Sequence, residues 1–385
     1  MITAFTAAEL FTPLDCIRDG VVLVEDGKIS ALGSRDTIAI PQGAGIEDYE
    51  NGVLAPGLVD IHIHGGAGHD VMEATPEALT AVERSIASHG VTSYFPTTIT
   101  APVETTLRAL NQLAGAIERR ASHIEPDRAS PAGIHMEGPF LSYAKRGVHP
   151  PEYLTPPALN LFERFWQAAR GHIKIMTIAP ELPGAVELIS EAARRGVVCS
   201  LGHSDAQTAD TRAAIRAGAR HATHTFNAMR ALDHREPGIL GVVLSDPRLT
   251  ADIICDGVHV DPAMVELFLK VKGAERAVLM TDALSATGMG DGRYRLGTFE
   301  VDVSGPLCLR GKTLAGSVLT LDAAVRNVIE FAGWELHAAI RLATLNPARV
   351  AALSSKGRLA PGADADLVVL TRTGEVIETI CGGVV

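Results

Sequence analysis

The sequence predicts an α/β fold: a closed (β/α)8 TIM-like barrel with a small β-sandwich domain formed by the N- and C-terminal segments. Three observations carry this. Between residues 55 and 353, short apolar runs of strand character alternate with stretches of helical periodicity, and about eight such units fit. The residues before this region read as strands and turns without helices. The last thirty or so return to short apolar runs between Gly and Pro turns, so the two ends are expected to pair. The expected division is 1–54 and 354–385 for the two parts of the β-domain and 55–353 for the barrel. A chain of 385 residues, 46% hydrophobic and 21% charged, is long enough to bury a core of that size.

The elements follow in order. VVLVEDGKISALG (21–33) is two apolar runs joined by Asp26-Gly27, a hairpin signal. TPEALTAVERSIASHG (75–90) has helical spacing, with Gly90 as its stop. Strands are expected in 91–98, 132–140 and 172–181. A helix ending at Gly196 leads into a strand over 197–204, and one ending at Gly218 leads into a strand over 219–229. A strand in 249–259, a helix in 262–273 and a strand in 277–283 complete the series.

Composition excludes several classes. The formal net charge is −11 and no basic stripe occurs, so nucleic acid is not an expected partner. An anionic ligand would have to be held by a local cluster of donors. Five scattered cysteines, odd in number and without a CxxC pair, read as reduced thiols in a cytoplasmic protein. MITAFTAAELFTPLDC lacks the basic and apolar regions of a signal peptide, and no apolar run reaches spanning length, so no membrane association is expected. Aromatics at 4% suggest no stacking platform.

The chemistry-bearing residues sit at strand ends. In PGLVDIHIHGG (56–66), His62 and His64 are two apart and share one face of a strand. They are either two hydrogen-bonded core histidines or half of a divalent-metal site. His203 ends VVCSLGHS, where it could equally introduce a helix capped by Ser204 or Asp205. His221 and His224 are three apart and so on opposite strand faces. His224 is assigned to the interior, and His221 is read as a packed or surface residue. Glu137 and Asp282 close two apolar strands, where a carboxylate needs a cation beside it. One of them could act as general base to an activated water. All six fall on the barrel face where active sites are built.

These residues resemble the amidohydrolase superfamily. APGLVDIHIHGG is similar to its first-strand HxH motif, and VLVEDGKISALG, NPARVAAL and KGRLAPGADADLVVL are similar to its flanking β-domain segments. HMEGPF (135–140), KRGVHPP (145–151), LGHSDA (201–206), HATHTFNAM (221–229), REPGILG (235–241), DGVH (256–259), TDA (281–283) and LAGS (314–317) resemble the N-acetylglucosamine-6-phosphate deacetylase family within it. The resemblance implies Glu137, His203 and His224 as main metal ligands, with His62 and His64 adding a second ion bridged by Glu137. That makes one or two ions per subunit, Zn²⁺ or Fe²⁺. Glu137 stands where other members carry a bridging modified lysine. It implies Asp282 as catalytic acid/base, His149 at the substrate carbonyl, and Val148, Asn227, Ala228, Asp256, Ala315, Gly316 and Ser317 around the substrate. Arg235 and His259 would hold the 6-phosphate of a phosphosugar, in part across the subunit boundary of a homodimer. The expected activity is removal of the N-acetyl group of N-acetylglucosamine 6-phosphate. The alternatives are hydrolysis of another small N-acyl compound, such as an N-acyl amino acid, and an inactive assembly protein of the same fold.

Overall fold

The structure, a computed structural model, describes residues 2–121 and 125–384. Met1 and Val385, the outer limits of the expected β-domain, lie outside the described residues. Eight strands run parallel around a barrel: Leu58–Ile63, Val91–Thr98, Ile134–Glu137, Ile173–Ile178, Val198–Leu201, His221–Ala222, Ala251–Ile254 and Ala277–Met280. The first six form one ladder and the last two pair with each other. Backbone hydrogen bonds outside these ladders close the circle. Ala222 N donates to Thr250 O at 3.1 Å between the sixth and seventh strands, and Asp282 N donates to His62 O at 3.0 Å between the eighth and first.

Helices clothe the barrel for local reasons legible in their sequence. Pro76–Ala87 begins with Pro at N1, is capped by Thr75 Oγ1 accepting from Ala78 N at 3.2 Å, and is followed by Gly90 at φ 83°. Thr208–Ala217 is introduced by Gln207; Ser204 and Asp205 do not cap it. Ser204 Oγ and Asp205 N both donate to the Glu181 carboxylate instead, at 2.7 and 2.6 Å.

The strands are shorter than their apolar runs. Over 219–229 only His221–Ala222 is strand, and the backbone then turns left-handed at His224, Phe226 and Ala228. Hydrophobicity does not mark these ends, because the segments leaving the strands are themselves half or fully buried in the barrel mouth. No strand was expected in 284–314, yet Gly292–Leu296, Phe299–Ser304, Leu307–Arg310 and Thr313–Leu314 form an antiparallel meander there. It has its own core, Leu296, Val301, Val303 and Cys308 against Ile99 and Leu284, and it covers one side of the mouth.

Both chain ends meet in one six-stranded sheet, ordered Val376–Ile380, Leu367–Leu370, Gly45–Pro56, Ile2–Phe11, Cys16–Glu25, Lys28–Ser34. The hairpin turns at Asp26-Gly27, both left-handed at φ 50° and 74°, as a tight two-residue turn requires. Each strand contributes to a shared core that includes Phe5, Val22, Ile29, Leu54, Leu367 and Ile380. The barrel with its terminal β-domain is the fold class the sequence predicts. All five cysteines are free, and among the described residues no helix is long and apolar enough to cross a membrane.

Candidate metal centre and active-site cavity

Strand alternation places His62 and His64 side by side, and their Nε2 atoms stand 3.2 Å apart in the barrel mouth. Glu137, from the third strand, lies between two groups. Its Oε1 is 3.1 Å from both His203 Nε2 and His224 Nε2. Its Oε2 is 3.3 Å from His64 Nε2, 3.6 Å from His62 Nε2 and 3.5 Å from His149 Nε2. Asp282 Oδ1 is 3.2 Å from His64 Nε2 and 3.5 Å from His62 Nε2.

Three of these side chains reach the centre through backbone that non-glycine residues avoid. His203, His224 and Asp282 have φ of 45°, 32° and 52°. Such conformations cost about 1–3 kcal/mol each and turn the side chain inward where the strand stops. His224 therefore faces the cavity through this turn, not through strand parity. His221 packs behind it, with Nε2 3.0 Å from Asp252 Oδ2.

The outer ring nitrogens reveal the tautomers. His64 Nδ1 lies 3.0 Å from Thr97 O, His203 Nδ1 2.9 Å from Lys145 O, and His224 Nδ1 3.2 Å from Asn227 O. A carbonyl only accepts, so each Nδ1 carries a proton and each Nε2 faces inward, where a cation can take the place of a second proton. The His203 and His224 Nε2 atoms are 3.0 Å apart, two imidazole nitrogens facing each other beside a carboxylate. That donor set fits a divalent cation with nitrogen and oxygen ligands, oriented by the hydrogen bonds behind them.

Electrostatics agree. Burial pushes Glu137 upward, but His62 and hydrogen bonds from His149, His203 and His224 hold it well below the usual carboxylate range. Burial also works against ionised Asp282, yet the His64 hydrogen bond and the neighbouring imidazoles hold it at about 2. His224 is raised to about 9 against burial, by Glu137 first. The pocket thus draws positive charge. His149 behaves differently: burial dominates and lowers it to about 4, leaving a neutral ring.

These groups open into a cavity of about 420 Å³. Val148, His149, Asn227, Ala228, His259 and Gly316 line it together with the metal-ligand candidates His64, Glu137, His203 and His224 and with Asp282. The other sequence candidates lie elsewhere. Asp256 stands behind His259, its Oδ2 2.7 Å from Nδ1. Ala315 is buried, and Ser317 sits behind Asp282, its amide donating to Asp282 O at 2.8 Å. Arg235 is exposed on the 231–236 loop, outside the cavity, and no described residue accepts from its guanidinium. Sequence reasoning missed Leu296, Lys312, Thr313 and Leu314 of the meander, and also Thr97 and Thr100. The alternation in FEVDVS, with glycines on either side, was a usable strand signal; nothing local marks the two threonines. Also missed were the carboxylates holding the ligand backbones. Asp60 Oδ1 accepts from His62 N at 3.2 Å, and Asp252 accepts from His224 N.

A family model, the amidohydrolase family, matches residues 53–385. The chain is 37% identical over 377 residues to N-acetylglucosamine-6-phosphate deacetylase of Bacillus subtilis (strain 168), covering 97% of this chain and 94% of that one. It is also 37% identical over 372 residues to N-acetylgalactosamine-6-phosphate deacetylase of Escherichia coli O157:H7, covering 96% and 95%. Among solved structures, a mutant N-acetyl-D-glucosamine-6-phosphate deacetylase of Mycobacterium smegmatis in complex with N-acetyl-D-glucosamine-6-phosphate superposes with a TM-score of 0.92 at 35% identity, covering 100% of this chain and 98% of that one. Barrel, mouth and matches define one class: the chain belongs to the amidohydrolase family. That family implies a divalent metal, and the His62–His64–Asp282 and Glu137–His149–His203 groups are placed to meet one.

Proposed function

We propose that the chain hydrolyses the N-acetyl group of N-acetylglucosamine 6-phosphate, giving glucosamine 6-phosphate and acetate. One observation carries the reading: two carboxylates, three imidazoles turned inward through Nε2 and the His149 ring converge in a single cavity of sugar-phosphate size. When bound by Glu137, His203 and His224, with a second ion against His62, His64 and the shared Glu137, Zn²⁺ or Fe²⁺ supplies the positive charge that makes water nucleophilic near neutral pH. The chain does the rest. Asp282, ionised at neutral pH, takes the proton of the attacking water as the carbonyl electron pair moves onto oxygen. His149 Nε2–H donates to that oxyanion. Asp282 then passes the proton to the amide nitrogen, the C–N bond breaks, and acetate leaves from a free amine.

His259, oriented by Asp256, can reach the 6-phosphate from within the cavity. Arg235, exposed and without a partner for its guanidinium among the described residues, fits a phosphate contact across a homodimer. We assign 1–54 and 354–385 to the β-domain and 55–353 to the catalytic barrel, since Gly45–Pro56 pairs with Leu367–Leu370 and the first barrel strand starts at Leu58. We place the reaction in the cytoplasm, where five free thiols stay reduced.

A second reading concerns the epimer. The relative acting on N-acetylgalactosamine 6-phosphate is as similar as the first, so configuration at C4 is the point to test. The experiment measures acetate release from both sugar phosphates, from unphosphorylated N-acetylglucosamine and from an N-acyl amino acid. The proposal expects the glucosamine 6-phosphate derivative to turn over fastest. Faster turnover of the galactosamine derivative would transfer the assignment to it, and preference for the N-acyl amino acid would end the proposal. The filled set of carboxylates and imidazoles speaks against an inactive assembly protein.

A further inference from the structure

His149 is the histidine of the cavity whose outer nitrogen faces donors instead of a carbonyl. His64, His203 and His224 each turn Nδ1 to a backbone oxygen. His149 Nδ1 meets the Thr100 hydroxyl at 2.8 Å, and the Thr100 backbone amide points at the same nitrogen from 3.4 Å. An amide N–H can only donate. Two protons cannot occupy that approach, so Nδ1 is the acceptor and the hydroxyl donates as well. The ring proton is thereby displaced to Nε2, which projects into the cavity 3.5 Å from Glu137 Oε2. The room for this hydroxyl is built in. A Cβ on Gly138, the left-handed residue following Glu137, would stand 2.1 Å from Thr100 Oγ1. Thr100 and His149 are 2% and 3% exposed, so the contact is buried.

We propose that Thr100 is a positioning residue for deacetylation: its hydroxyl and amide fix His149 as the Nε2–H tautomer, able to donate to the acyl oxygen. The same scaffold thus makes two kinds of histidine. A carbonyl behind the ring holds the proton on Nδ1 and leaves Nε2 free for a cation, and a donor behind the ring produces an inward N–H. Without the Thr100 hydroxyl, only the long amide contact opposes the other tautomer, and that tautomer would present a lone pair to a developing negative charge.

The inference rests on the proposed deacetylase reading, and its test separates the two. In zinc-loaded protein labelled with ¹⁵N-histidine, two-bond ¹H–¹⁵N spectra report which ring nitrogen carries the proton, with the His149 signals assigned by their loss in His149→Gln. Protonation at Nε2 is expected; protonation at Nδ1 overturns the proposal, whatever the substrate proves to be. In turnover, Thr100→Val should lower kcat about 10- to 100-fold, with KM for the sugar phosphate within about twofold and metal content unchanged. Thr100→Ser, which keeps the hydroxyl, should return kcat to within about threefold of the parent. A Val variant as fast as the parent, or a Ser variant as slow as the Val, reduces Thr100 to packing and overturns the proposal. Failure of the deacetylase reading shows instead as no acetate released by the parent protein, while the spectra still report the tautomer.

Discussion

Two charged clusters lie at opposite ends of the barrel strands, and they are built on opposite principles. Beneath the N-terminal ends, Lys356 Nζ is 3.1 Å from Asp364 Oδ2 and 2.5 Å from Asp366 Oδ2, and Lys28 also pairs with Asp364. Each charge there meets its opposite. Asp366 further accepts from Gly382 N at 2.9 Å through Oδ1, while its backbone oxygen accepts from Gly57 N, which sews the C-terminal segment to the start of the barrel. At the C-terminal ends, imidazole nitrogens face one another at 3.0 and 3.2 Å around Glu137, and His203, His224 and Asp282 sit in strained backbone. The lower cluster is complete without help and serves cohesion. The upper one is incomplete by its own atoms, as a cluster that an ion and a substrate would complete is.

The contrast can be broken by substitution. Glu137→Gln should produce the largest effect, a fall in acetate release of about a thousandfold or more together with loss of bound metal. The melting temperature of the metal-free protein should stay within a few degrees of the parent, because a buried charge has been removed and the shape kept. A large drop in that temperature would make the upper cluster structural. Asp282→Asn should lower kcat by about 10²–10⁴-fold with metal content retained, measured by acetate release and elemental analysis. Retained turnover would remove Asp282 from the proton transfers.

Lys356→Met should do the reverse, costing about 2 kcal/mol of stability in urea unfolding at pH 7 while kcat is unchanged. Its pH dependence has a definite sign. The Asp364 carboxyl is pushed upward by burial but held below its ordinary value by Lys28 and Lys356, so the folded state binds its proton less readily than the unfolded chain. That stabilisation is full above the ordinary carboxylate pKa of about 4 and is lost as pH falls through the lower folded value. The stability gap between parent and variant should therefore close in that acid range; a gap constant with pH would deny the ion pairs their role. The smallest effect is expected at Arg310, whose Nη1 donates to Val148 O at 2.7 Å and whose guanidinium lies 4.0 Å over the Phe299 ring. Arg310→Met should loosen the meander from the 145–149 segment and raise KM a few-fold with little change in kcat. An unchanged KM would show that the latch does not shape the cavity.

The sequence exposed what periodicity carries. His62 and His64 are readable because two-residue spacing on a strand has one geometric meaning, and the ends of the third, fifth and eighth strands follow from carboxylates or imidazoles that close apolar runs. His224 faces the cavity for a reason other than strand parity, since its strand stops at Ala222 and a left-handed turn does the aiming. Thr97, Thr100 and Asp252 were not readable: each acts through a contact across the fold, 33, 49 or 28 residues away, that no local pattern encodes. The meander was readable in part, since Phe299, Val301 and Val303 alternate with polar residues, but its strands are short, partly exposed and divided by glycines.

The central claim is that side chains from separate strands share a divalent cation that deacetylation requires. Acetate release from N-acetylglucosamine 6-phosphate, followed before chelation, after chelation and during stepwise return of Zn²⁺, tests it most directly. The account predicts loss of turnover on chelation and recovery complete at one or two equivalents per subunit. Undiminished turnover by protein shown to be free of metal would contradict it.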